Sequence, residues 1–318
     1  MGLLRDKLLI ASGQGRLFLY DAKIGDFDIV FETPNPNEYF MGISQYKDRI
    51  FISSNLLIYE LLPNNDIWDC INSISFFPVE SMGYNPKIQH IKVIGDKLFA
   101  PTMASNSFYI MELNEAFDLI ADIKIIPSVV ATDYDNAVDI FFDKGLFYCC
   151  FNSIGSSPED GGIMVLDSSL RLIDRGYYGW DCYNYSIIND DKYILCNKID
   201  NKRAGLVFND NFKIVYDSFY CMDYAINDDF IAIVGGVINL NNTTQSGGIV
   251  LLFDREFKTI GRPTFLPGGG QFMGCMFIEN DLTNNLWKQD ISNVKISPYD
   301  DKRVKVRDLS YLETTKLK

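Results

Sequence analysis

Short apolar runs alternate with tight polar turns along most of the chain, and none extends into a capped pattern of 3.6-residue period. Gly95-Asp96 separates residues 90–94 from 97–100, and Asp143-Lys144-Gly145 separates 138–142 from 146–151. Asn189-Asp190-Asp191 separates 185–188 from 192–196, and Asn227-Asp228-Asp229 separates 222–226 from 230–234. These are hairpin signals between short strands. They predict an all-β chain in which helices are nearly absent.

One motif recurs six times: three apolar residues followed by a carboxylate or its amide, ending at Asp21, Glu60, Glu112, Asp167, Asn209 and Asp254. The spacings of 39, 52, 55, 42 and 45 residues are those of a four-stranded propeller blade with its loops. A short polar side chain at the end of a buried strand accepts bonds from the amides of the following turn. Leu170, Phe212 and Phe257, three positions after their markers, are expected to open outer strands.

The first repeat lacks an innermost strand, because the chain enters at residues 7–12, which match the second strand of the other repeats. The missing piece lies at residues 270–279, whose Phe272-Met273-Gly274 matches Phe40-Met41-Gly42 at the opening of the second repeat. The expected architecture is a six-bladed β-propeller of four-stranded antiparallel blades, closed by 270–279 joining the N-terminal blade. The blades fall near 7–34 plus 270–279, 39–76, 89–126, 137–179, 183–220 and 222–265, making 1–280 the propeller. Residues 281–318 then form an extension packed on the ring, with a hairpin pattern between 294–297 and 304–307. In these features the chain resembles the six-bladed propeller superfamily, including NHL-like and gluconolactonase-like propellers. The resemblance implies the architecture and no particular activity.

Composition narrows the partners. A net charge of −13 argues against nucleic acid and anionic membrane, both of which are held mainly by cationic side chains. The seven cysteines are odd in number, irregularly spaced and mostly set in apolar runs, so they read as reduced core residues of a cytoplasmic protein. No apolar stretch of signal-peptide length precedes Arg5, and no run approaches the ~18 apolar residues of a membrane helix. Gly13-Gln14-Gly15 stands between two strands and reads as a turn rather than a dinucleotide loop. No Cys-x-x-Cys and no Gly-x-Ser-x-Gly is present.

Candidate chemistry sits where the inner strands begin. His90, the only histidine, and Asp139 and Asp223 interrupt apolar strands and are the candidate catalytic groups. Aligning strand starts places His90 with Val138, Tyr185 and Met222, and Asp139 with Ile91, Ser186 and Asp223. The resemblance to lactonase-like propellers, which hold a divalent metal in the channel through carboxylate and amide oxygens, implies a divalent cation as cofactor; Asp139 and Asp223, with Asn184 or Glu38, would supply oxygen ligands of the right hardness. The plainer alternative is that these groups bond loop backbone or channel water. Tyr84, Asp133, Tyr134, Trp180 and Tyr185 form the candidate ligand-binding set, since rings beside carboxylates suit sugar faces. Long excursions at 154–162 and 239–248 offer further binding surface. Two functions remain open: a propeller binding a small polar or carbohydrate-like ligand, or a protein partner, at the channel mouth; or a hydrolase or isomerase acting on a sugar-like substrate.

Overall fold

A computed structural model describes residues 7–55, 57–63, 68–74, 90–102, 107–113, 119–124, 135–153, 161–177, 181–198, 203–217, 219–238, 245–278 and 280–294. Apolar alternation and tight turns produce antiparallel hairpins in series, and these assemble into six four-stranded sheets. Blade one joins β1 (Lys7–Ser12), β2 (Arg16–Asp21) and β3 (Phe27–Glu32) to β24 (Phe272–Phe277). Blade two runs from β4 (Phe40–Tyr46) through β5 (Arg49–Ser54) and β6 (Ile58–Leu62) to β7 (Asp69–Ile74). Blade three comprises β8 (Lys92–Ile94), β9 (Lys97–Thr102), β10 (Ser107–Glu112) and β11 (Leu119–Lys124). Blade four comprises β12 (Asp135–Asp143), β13 (Leu146–Ser153), β14 (Gly162–Leu166) and β15 (Leu172–Tyr177). Blade five comprises β16 (Asp181–Ile188), β17 (Asp191–Lys198), β18 (Arg203–Phe208) and β19 (Asn211–Asp217). Blade six comprises β20 (Phe219–Ile226), β21 (Phe230–Ile238), β22 (Gln245–Asp254) and β23 (Thr264–Pro267). A single 3-10 turn, Asn285–Lys288, is the only helical element among the described residues.

The innermost strand is β24 in blade one and the first strand in each of the other five, and these six strands neighbour one another in the cyclic order β24, β4, β8, β12, β16, β20. The result is a six-bladed β-propeller. Closure takes the expected form, with Leu8 opposite Phe277, Ile10 opposite Cys275 and Ala11 opposite Gly274. Side-chain alternation explains why β1 is so largely apolar. Leu8 and Ile10 pack with blade six, while Leu9 and Ala11 pack with blade two. Every core cluster in the described ring straddles neighbouring blades in this way, so the core is a set of layers between blades.

Several expectations need correction. Leu170 and Phe257 do not open strands: they occupy turns with φ of 58° and 65°, each donating its amide to the carbonyl of its marker residue. Phe212 does lie in an outer strand. The polar markers serve two kinds of partner. Asp21, Asp167 and Asp254 accept amides of their own turns, while Asp21, Glu60 and Glu112 also pair with Lys7, Arg49 and Lys97 on the neighbouring strand, and Asn209 accepts the Lys192 amide there. Residues 245–248, expected in a loop, belong to β22, which shortens that excursion. The hairpin pattern at 294–297 and 304–307 lies almost wholly outside the described residues, as do 154–160.

Candidate functional site

The inner strands set the geometry of the channel. In five of them the register against the second strand shifts by one residue near the start, with Met41, Val138, Tyr183, Met222 and Met273 as the extra residues. Such bulges bend a strand and re-aim the side chains beyond them. Counting back from each closing turn gives the true alignment. The closing residues are Tyr46, Ile94, Asp143, Ile188, Asn227 and Ile278. Four residues upstream stand Gly42, His90, Asp139, Asn184, Asp223 and Gly274, one per blade. This corrects the alignment by strand starts, which set His90 beside Val138 and paired Asp139 with Ser186.

The two glycines have a steric role. A Cβ on Gly274 would lie 3.0 Å from the Gly42 Cα and from the Met41 carbonyl, so blades one and two approach each other here backbone to backbone. The other four blades supply polar side chains, all 0–2 % exposed.

Asp223 is the hub of this ring. Its Oδ1 accepts the Tyr224 amide at 2.8 Å and the Asn184 side-chain amide, and its Oδ2 accepts the Cys275 amide of the closing strand at 2.8 Å. Nδ1 of His90, from the opposite blade, lies 3.6 Å from Oδ2. Burial would raise this carboxyl, but His90, Lys92 and the donated amide together hold it below the ordinary range.

Asp139 is the opposite case. It is fully buried, and neither carboxylate oxygen has a donor within hydrogen-bonding geometry. The nearest cation, the Lys92 ammonium, is 4.0 Å from Oδ1. Burial therefore dominates and pushes the carboxyl up to about 6, against the pull of Lys92, of His90 and, least, of the adjacent Ile140 amide. Lys92 is itself buried. Desolvation pulls its ammonium down, but Asp139, Asp223 and Asp281 outweigh that and keep it above its usual value. The Asn184 carbonyl oxygen, also buried, has no partner either.

One end of the channel is closed by residues 281–291. The Leu282 amide bonds the Ile226 carbonyl at the end of β20, and the Leu286 carbonyl accepts the Gly95 amide in the first turn of blade three. Blades six and three face each other across the ring, so the chain between these points crosses the axis. Asp281 fixes the crossing, accepting the amides of Phe277, Thr283 and Asn284 and the Thr283 hydroxyl at 2.6–3.0 Å. Beside the crossing a cleft of about 360 Å³ lies between Tyr46, Lys97, Trp287 and Ile291.

Among the sequence candidates, His90, Asp139 and Asp223 come together with Asn184. Glu38 stands apart: it accepts the hydroxyls of Thr33, Ser54 and Tyr59 between blades one and two. Tyr185 is 4 % exposed, its ring stacked on Tyr148 at 5.1 Å and edge-on to Phe141, so it packs blades four and five. Tyr84, Asp133, Tyr134 and Trp180 lie outside the described residues. Lys92 and Asp281 were missed. Lys92 was recoverable, since it stands two residues after His90 in an apolar run and so shares its strand face.

These donors do not suit a divalent cation. With Asp223 and Glu38 engaged by protein donors, only the Asp139 oxygens and the Asn184 carbonyl are open, short of the six to eight oxygens calcium takes. No group of three or more His, Cys, Asp or Glu side chains able to hold a metal occurs among the described residues.

No family model matches the sequence, and no curated protein matches it. Solved structures do. A protein of unknown function from Bacteroides caccae aligns at TM-score 0.56 and 10 % identity, over 85 % of this chain and 97 % of that one. A chain of a nidogen/laminin complex aligns at 0.57 and 10 %, over the same shares. The Cps50 (Swd1) β-propeller domain of Myceliophteria thermophila aligns at 0.50 and 6 %, over 83 % of each chain. The fold is shared. At such identities the likeness extends to the ring and not to what it binds. No helix among the described residues is long and apolar enough to cross a membrane.

Proposed function

We propose that this chain is a binding propeller that takes a small polar or carbohydrate-like ligand at the channel mouth where the inner strands begin. The observation that carries this reading is the crossing of the axis by residues 281–286 at the end where the inner strands finish, which directs a ligand to the end where they begin. The sequence leading into the inner strands carries Tyr84, Asp133, Tyr134 and Trp180, rings and carboxylates of the kind that hold sugar faces. The neighbouring nidogen/laminin structure is a complex between proteins, so a protein partner at the same mouth is the competing occupant.

The gathering of His90, Asp139 and Asp223 favours a second reading, a hydrolase or isomerase with Asp139 as the proton-transferring group near neutral pH. Against it, Asp223 commits both oxygens to protein donors, as an inter-blade tie does rather than a catalytic base. A thermal-shift screen of sugars and amino compounds separates the readings. Binding predicts a ligand that is recovered unchanged and whose apparent affinity falls at least tenfold in Trp180→Ala. Turnover of any bound sugar, abolished in Asp139→Asn, would replace the binding reading with the enzymatic one.

A further inference from the structure

The channel holds more buried negative charge than its own cations complete. Asp139, Asp223 and Asp281 are each 0–2 % exposed. Asp281 has four donors, and Asp223 has two backbone amides and the Asn184 side chain. Lys92 is drawn toward all three carboxylates, and its nearest approach to Asp139 is 4.0 Å. Asp139 alone of the three has no donor in bonding geometry, and the unpartnered Asn184 carbonyl stands at the same height in the next blade. All three open atoms are acceptors, so what completes them must donate, and a positive charge would also offset the carboxylate excess. Gly42 and Gly274 add no side chain to that height of the channel.

We propose that Asp139 and Asn184 form the floor of a subsite for a primary ammonium group, the donor end of a small ligand entering from the end where the inner strands begin. The inference rests on the reading of that mouth as a ligand entrance and deepens it by naming the group recognised. N–H donors point to the two Asp139 oxygens and the Asn184 carbonyl, while the remainder of the ligand extends toward the mouth. A quaternary ammonium, which has the charge but no N–H, does not satisfy these acceptors.

The test is thermal unfolding of the full chain at pH 8, titrated with ammonium, methylammonium, potassium or tetramethylammonium chloride at matched ionic strength. The expected result is a saturable rise of at least about 2 °C with ammonium and methylammonium only, lost in Asp139→Asn. Equal shifts with all four salts, a potassium effect matching ammonium, or an ammonium effect retained in Asp139→Asn would each overturn the proposal. If Asp139→Asn fails to fold, the four-salt comparison on the wild-type protein decides alone. Ammonium is small enough to act without mouth contacts. Its failure therefore leaves the mouth reading standing, and loss of larger ligands in Trp180→Ala leaves the ammonium result intact.

Discussion

Asp139 and Asp223 show how two carboxylates of equal burial take opposite characters from their donors. Asp223 receives amides and is held ionised; Asp139 receives none in bonding geometry and is pushed up to about 6 from 3.8. The signs of their pH effects therefore differ. For Asp139 the folded state binds the proton more tightly than the unfolded state, so its contribution falls as pH rises from about 4 through 6 and is then constant. A shift of this size corresponds to about 3 kcal/mol. Asp139→Asn is expected to raise stability by about 1–3 kcal/mol at pH 8 and by less than about 0.5 kcal/mol at pH 4. Urea unfolding at the two pH values checks this, and equal effects at both would contradict it. Lys92→Met should behave conversely. Removing this buried ammonium leaves the carboxylates unpaired and costs about 3–5 kcal/mol at pH 7.5. The loss should shrink by at least about 1 kcal/mol when Asp139→Asn is also present, which a double-mutant cycle measures.

Among the elements, strand existence and the closing pair of β1 with β24 were readable, because turns and apolar runs are local signals. The height of residues in the channel was not readable from strand starts. The bulges at Met41, Val138, Tyr183, Met222 and Met273 insert a residue near the beginning of five of the six inner strands, so counting from the start mixes columns. Counting from the turns recovers the ring of His90, Asp139, Asn184 and Asp223. Lys92 and Asp281 went unseen for different reasons. Lys92 was hidden in an apolar run, and Asp281 acquires its partners only when the chain crosses the axis, which no repeat encodes. The glycine pair offers an element-scale test. Gly274→Val places atoms against the β4 backbone and should cost at least about 2 kcal/mol, with loss of cooperative closure. Gly261→Ala, with nothing within 4 Å of its Cβ, is the control for an added side chain at positive φ and should cost about 1 kcal/mol. Chemical denaturation of both variants checks the pair.

For the whole molecule, the layers between blades supply a continuous apolar core, and the channel ring adds polar ties between blades that are distant in sequence. His90 and Asp223 are the most telling pair, since they stand on opposite blades and meet only if all six are closed around one axis. A double-mutant cycle of His90→Gln and Asp223→Asn, by equilibrium urea unfolding at pH 6, probes that closure most directly. A ring closed in this way predicts a coupling of about 1–3 kcal/mol between these residues. Additivity within about 0.5 kcal/mol would contradict it, because the channel could not then hold the two side chains against each other.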